Sequence, residues 1–144
     1  MTNGSHIRII KGKKEIFDPV RRRFVTCTPE EAVRQAYLLY LIDVLKVPPI
    51  AISVERKVTY HKVSRRYDIV VYFKETCLLV IECKAPTVEL SEETLHQISI
   101  YNTNLQAKYI ILFNGKQELI YQKVNDQLTL QEQLPTYAEM INED

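Results

Sequence analysis

Hydrophobic spacing changes period several times along this chain, and each change marks an element. Ala32, Val33, Ala36, Tyr37, Tyr40, Leu41, Val44 and Leu45 recur at helical spacing. Thr28-Pro29-Glu30-Glu31 stands before them as a helix start: Thr for the N-cap, Pro for the first helical position, and Glu31 to close a capping box. Pro48-Pro49 ends the run. From Ile50 to Tyr60 the period drops to two, with Ile50, Ile52, Val54, Val58 and Tyr60 on one face and Ser53, Glu55, Lys57 and Thr59 on the other, the pattern of a half-exposed strand. Residues 67–73 and 77–85 are continuously apolar and predict a hairpin in the middle of a sheet. A second helix is predicted from Ser91 to about Asn104, with Glu92 and Glu93 at the positive end of its dipole. Tyr109 to Phe113 reads as a buried strand, and Asn114-Gly115 as a two-residue hairpin turn into a strand at 118–124. Residues 135–140 permit a short helix. This order predicts a mixed sheet with helices packed on it, in the α/β or α+β class.

The length of 144 residues suits one domain, and 46% hydrophobic with 26% charged residues is ordinary globular composition. The expected division is an N-terminal extension over residues 1–16, a main domain over 17–124 and a C-terminal extension over 125–144. A net charge of +1 makes no general case for nucleic acid, so binding of that kind would need a local patch. Arg21-Arg22-Arg23 and the stretch from Lys57 to Arg66 are the candidates, each with a solvated face as its alternative. Cys27, Cys77 and Cys83 are an odd count without CxxC spacing and read as packed, reduced thiols. The polar start from Met1 to His6 has no apolar leader core, and no run approaches the ~18 apolar residues of a membrane span, so a cytoplasmic location is expected.

Charge inside the two central strands is the most informative departure from the pattern. Asp68 interrupts the first, and Glu82-Cys83-Lys84 the second. Unpaired buried charge costs several kcal/mol or more, so strands carrying it usually have a use for it. If the hairpin turns through Lys74-Glu75-Thr76 with Phe73 opposite Cys77, Asp68 falls directly across from Glu82, and Lys84 shares their face. Two carboxylates so placed repel, which leaves three outcomes: one is protonated, Lys84 neutralises the pair, or a divalent cation sits between them. Oxygen ligands favour a hard ion, and Mg²⁺, with Mn²⁺ as substitute, keeps water positions open for a phosphate oxygen and an attacking water. Lys84 would orient or deprotonate that water. The plainer alternative is an ion pair of Glu82 with Lys84 that only fixes register, and Glu31 is explained by its capping box without chemistry. Gln97 and Tyr101 share a helix face at i, i+4. His96 beside them reads as solvent-facing rather than as a ligand, and His6 and His61 have no metal-ligand spacing.

Taken together, these residues resemble the N-terminal nuclease-like domain of the restriction subunit of type I restriction–modification enzymes, within the PD-(D/E)xK nuclease superfamily. Phe17-Asp18-Pro19-Val20-Arg21, residues 28–35, Arg66-Tyr67-Asp68-Ile69-Val70-Val71, Ile81-Glu82-Cys83-Lys84-Ala85-Pro86, residues 97–102 and Phe113-Asn114-Gly115 look like its successive signatures, jointly specific although ExK alone is weak. The resemblance implies a restriction-endonuclease-like central sheet flanked by helices, with Asp68 and Glu82 as metal ligands and Lys84 as the catalytic lysine. It adds Glu31 on the first helix and the glutamine and tyrosine of a Q-x-x-x-Y motif at Gln97 and Tyr101. Tyr67 stands where the superfamily name has Pro, and no GxxxxGK[ST] phosphate loop for a motor is present.

The expected function is a Mg²⁺-dependent DNA endonuclease-like domain that hydrolyses phosphodiesters. Its expected partners are DNA and, through the family, specificity, modification or translocase subunits, with a homodimer as a further alternative and no membrane. The competing reading is a non-catalytic DNA-binding or assembly module that retains the fold. A two-carboxylate glycoside hydrolase fits poorly, since the chain has no Trp for a sugar cleft.

Overall fold

A computed structural model describes residues 6–143, and within them the backbone alone at residues 58, 60, 63, 100, 101, 103 and 104. The polar start at residues 1–5 lies outside the described residues. The chain opens with three short antiparallel strands, β1 (Ile7–Ile10), β2 (Lys13–Asp18) and β3 (Arg23–Thr26), forming a sheet that the hydrophobic pattern did not announce. All four residues of β1 are exposed, so burial supplied no periodic signal there.

Helix α1 (Pro29–Leu39) begins where expected. The Thr28 hydroxyl accepts from the Glu31 N–H at 3.0 Å, and Pro29 takes the first helical position. The reciprocal half of the capping box is not made: the Thr28 N–H goes to the Thr26 carbonyl, and the Glu31 carboxylate turns elsewhere. A π-helical turn over Tyr40–Val44 follows directly, its wider winding closed by the Leu45 N–H on the Tyr40 carbonyl. The extra residue rotates Val44 outward, to 57% exposure, while Leu45 stays buried. Ile50 belongs to a single 3₁₀ turn (Pro49–Ala51), not to the strand, and is 97% exposed.

The main sheet has six strands in sequence order: β4 (Ile52–Tyr60), β5 (Val63–Phe73), β6 (Thr76–Cys83), β7 (Tyr109–Phe113), β8 (Glu118–Val124) and β9 (Gln127–Gln131). Only β6 and β7 run parallel, and helix α2 (Glu92–Leu105), capped by Ser91, makes the crossover between them. Two apolar layers result. On one face Val33, Tyr37, Leu38 and Leu41 pack with Ile69, Val71, Leu79, Ile81 and Ile111, closed at the end by Met140 of α3 (Tyr137–Ile141). On the other, Ile98 of α2 packs with Tyr67, Val70, Val80, Ile110 and Leu112. Burying both faces explains the continuous apolar runs of β5, β6 and β7. The fold is a mixed α+β sheet with helices against it, as expected. Among the described residues no helix is long and apolar enough to cross a membrane.

The turns differ from expectation in instructive ways. The β5–β6 hairpin turns through two residues, not three, with Phe73 opposite Thr76 and Lys74 at φ +55°. A bulge between Val71 and Tyr72 then shifts the register by one, so that Val71, Val70 and Ile69 face Leu79, Val80 and Ile81. Between Phe113 and Glu118 the chain uses four residues instead of two, the Asn114 side chain accepting from the backbone N–H groups of Lys116 and Gln117. Strand β9, which sequence pattern did not identify, returns from β8 through Asn125-Asp126, both at positive φ.

Candidate active site

The site forms where β5 and β6 come apart. Ladder pairing between them ends at Ile69 and Ile81, and the next opposed pair in that register is Asp68 with Glu82. There the Asp68 carboxylate replaces the missing ladder bond: its Oδ2 accepts from the Cys83 N–H at 2.8 Å. On its other side the β4–β5 pairing skips Glu55, which lies opposite Asp68 with φ +58°. Tyr67 and Val70 pack in the same apolar layer although three residues apart, so strict alternation slips at Asp68. Backbone irregularities on both neighbours thus aim the Asp68 carboxylate along the sheet toward Cys83.

Glu82 is buried at the same level, held by two cations. Arg65 Nη2 lies 2.9 Å and Lys84 Nζ 3.2 Å from its Oε2, while its Oε1 is buried with no hydrogen-bond partner. Lys84, whose own N–H continues the parallel pairing to the Phe113 carbonyl, is 32% exposed at the side chain, so the cluster opens to solvent on that side. Burial, and then the Glu82 charge, push the Asp68 carboxyl up to about 7, against the opposing pull of the Cys83 N–H and Arg34. The expected convergence of Asp68, Glu82 and Lys84 is present, including the repulsion between the two carboxylates.

Glu31 reaches this cluster through one guanidinium. Arg34 Nε and Nη2 grip both Glu31 oxygens at 3.0 and 3.1 Å, and its Nη1, buried and without a hydrogen bond, stands 3.7 Å from Asp68 Oδ1. Arg21 and Gln35 also donate to Glu31, at 3.1 and 3.0 Å. Behind them Asp18, fully buried, accepts from Arg21 Nε at 2.7 Å and Gln35 Nε2 at 2.9 Å. Its burial works against ionisation, yet the Arg21 backbone and side chain and Gln35 hold its carboxyl below the usual range. Glu55 completes the network, with Arg21, Arg34 and Arg66 within 3.4 Å.

Among the described residues no three His, Cys, Asp or Glu side chains are grouped so as to hold a metal ion, because Glu31 is kept apart from Asp68 and Glu82 by Arg34. Gln97 is on the exposed side of α2, and the ion pairs and hydrogen bonds that join Glu31 to Asp68 do not extend to it. Tyr101 is on the same helix with its side chain outside the described set. Sequence reasoning missed Arg34, Arg65, Glu55 and the roles of Asp18, Arg21 and Gln35. A signal existed for some: Asp18 and Arg21 stand in one of the segments that resemble the family's signatures, Arg34 and Gln35 in another. For Arg65 and Glu55 there was none, since a charge on a half-exposed strand is ordinary.

No curated protein matches the chain. The family model described as type I restriction enzyme R protein N terminus matches residues 29–136, a stretch running from the first turn of α1 to the residue that caps α3. It takes in Glu31, Arg34, Asp68, Glu82 and Lys84, with the crossover helix α2, and leaves out Asp18 and Arg21 of the network. With well over half its length covered, the chain belongs to the family of type I restriction enzyme R protein N-terminal domains.

Proposed function

We propose that this domain is a divalent-metal-dependent nuclease of the PD-(D/E)xK type that hydrolyses DNA phosphodiesters, in concert with other restriction subunits. The observation that carries it is the meeting of Asp68, Glu82 and Lys84 at the parting of two otherwise apolar strands. A register-fixing ion pair needs only Glu82 and Lys84. It does not account for a second carboxylate held up to about 7 against the first, nor for a buried Glu82 oxygen without a partner. Both features fit two oxygen ligands awaiting a hard cation that brings most of its shell as water. Bound there, Mg²⁺ would polarise a phosphate oxygen and lower the pKa of a water.

The chain's own residues have defined tasks in this reading. Asp68 is aimed by the Cys83 N–H and Glu82 by Arg65 and Lys84, so neither carboxylate needs to reorganise to receive a ligand. Lys84, partly exposed beside Glu82 and charged in that ion pair, orients the attacking water and offsets the charge that builds as the water oxygen bonds to phosphorus and the phosphorus–oxygen bond to the leaving sugar breaks, the water's proton passing through solvent to the leaving oxygen. Glu31 works through Arg34, fixing the guanidinium against Asp68; direct ligation by Glu31 would require Arg34 to withdraw.

The second reading, a non-catalytic DNA-binding or assembly module, is favoured by that same clamp on Glu31, which leaves two carboxylates at the site instead of three. The two readings separate in one set of measurements. Mg²⁺ or Mn²⁺ is expected to raise the Tm of the wild type and not of Asp68→Asn, by about 2.7 kcal/mol of stability at a hundred times Kd. Lys84→Ala keeps both carboxylates and is expected to retain DNA affinity while nicking of supercoiled plasmid falls at least ~10²-fold. Wild-type protein that binds DNA, shows no metal-dependent rise in Tm and never nicks with its partner subunits supplied would establish the module instead.

A further inference from the structure

The β4–β5 hairpin carries a second cationic feature beside the carboxylates. Residues 63–67 of β5 pair with β4 alone, because β6 joins the ladder only from Ile69. They form a two-stranded ribbon that projects past the site. On it Lys57 faces Arg66 directly across the strands, and Thr59 faces Ser64, whose hydroxyls are 3.0 Å apart. Like charges directly opposed destabilise a strand pair. Lys57 has no acidic partner among the described residues, and Arg66, 63% exposed at the side chain, has only Glu55 at 3.4 Å. Between them opens a cavity of about 170 Å³ lined by Lys57, Ser64, Arg65 and Arg66. One water needs about 10–15 Å³ of such space, so the cavity has room for a phosphate group. Arg65 joins this cavity to the candidate active site, since its Nη2 is 2.9 Å from Glu82.

We propose that this pocket binds a phosphate of the DNA backbone beside the candidate active site, with Lys57 and Arg66 as its charge partners, Ser64 as a neutral donor and Arg65 tying it to Glu82. The proposal rests on the nuclease reading for its substrate but on separate residues. Two cations and a hydroxyl on one face of the ribbon suit the acceptor oxygens of a phosphate, Arg65 lining the cavity while its guanidinium is held by Glu82, and the opposed Lys57 and Arg66 are a cost to the free protein that a bound anion removes. With a whole-chain net charge of +1, this local cluster is what makes DNA binding electrostatically reasonable.

The test measures the full chain's affinity for a fluorescent duplex DNA in chelator across a salt series, so that neither metal nor cleavage enters. Neutralising both cations, Lys57→Gln with Arg66→Gln, is expected to reduce the slope of log affinity against log salt by about 0.9, the value for one phosphate contact, and to leave Tm unchanged or higher as the opposed charges go. Lys57→Arg is expected to restore most of the slope in the single-site background. An unchanged slope, or a Tm that falls in step with affinity, overturns the pocket. The nuclease reading fails separately: if the double variant loses slope while the wild type never cuts, the pocket stands without the enzyme. If Lys84→Ala abolishes cutting while the double variant keeps the wild-type slope, the enzyme stands without the pocket.

Discussion

In an unfolded chain the Asp68 carboxyl loses its proton near pH 4; in the folded protein, burial and the Glu82 charge hold that proton to about 7. Between these values the folded state binds more protons than the unfolded one, so stability falls as pH rises through the window and is fully present only below about pH 4. Asp68→Asn keeps an oxygen for the Cys83 N–H and removes the repulsion with Glu82. It is expected to melt higher than the wild type at pH 8, by about 1 kcal/mol or more, roughly 2–8 °C, with the gap closing toward pH 4 in a series of thermal melts. A gap that does not change with pH would mean that Asp68 carries no excess proton. Asp68, Glu82 and Lys84 were legible in the sequence for the same reason that they are costly: a charge in an apolar strand stands out against its neighbours. Arg65 and Glu55 were not, because each is ordinary where it stands and acquires meaning from partners distant in the chain, Arg65 from Glu82 and Glu55 from Arg21 and Arg34. Glu31 was half legible. Its place three residues after Thr28 predicted the cap, and the cap is made from its N–H alone, which leaves its carboxylate to two arginines and Gln35.

Hairpins show how an element can be misjudged while its consequence is right. The three-residue turn expected at Lys74 is a two-residue turn, yet the Val71/Tyr72 bulge restores the register that sets Asp68 against Glu82. Sequence reveals the apolar runs that must align, and alignment of their buried faces sets the register at the site more firmly than the turn does. Strands β1 and β9 escaped notice because none of their residues is buried, and because the β8–β9 turn is made by Asn125-Asp126 without the glycine that usually marks it. Left-handed backbone costs a non-glycine residue about 1–2 kcal/mol, less for Asp, and Asp126 has only Lys123 at 3.8 Å as an exposed partner. Asp126→Gly is therefore expected to stabilise the hairpin by about 0.5–1 kcal/mol and raise Tm by a few degrees. A lower Tm would show that the Lys123 pair outweighs the strain.

At the scale of the molecule, the three-stranded N-terminal sheet lies before the region matched by the family, yet it delivers Asp18 and Arg21 to the clamp around Glu31. A chain beginning at Thr28 is expected to lose at least ~3 kcal/mol of stability, seen as a lower urea midpoint, because Glu31 and Gln35 would keep their buried places without those partners. An unchanged midpoint would reduce the small sheet to an ornament of the surface. The ion pairs described above have a further consequence once they are counted by sign. Asp18, Glu31, Glu55, Asp68 and Glu82 stand against Arg21, Arg34, Arg65, Arg66 and Lys84, one cation for each carboxylate when all are ionised. With Asp68 ionised the centre is electrically neutral, so a dication entering between Asp68 and Glu82 then arrives as surplus charge, which an expelled arginine or an incoming anion can cancel. Cation and nucleic acid would then bind as one thermodynamic event seen from two sides, each raising the affinity for the other by the same factor.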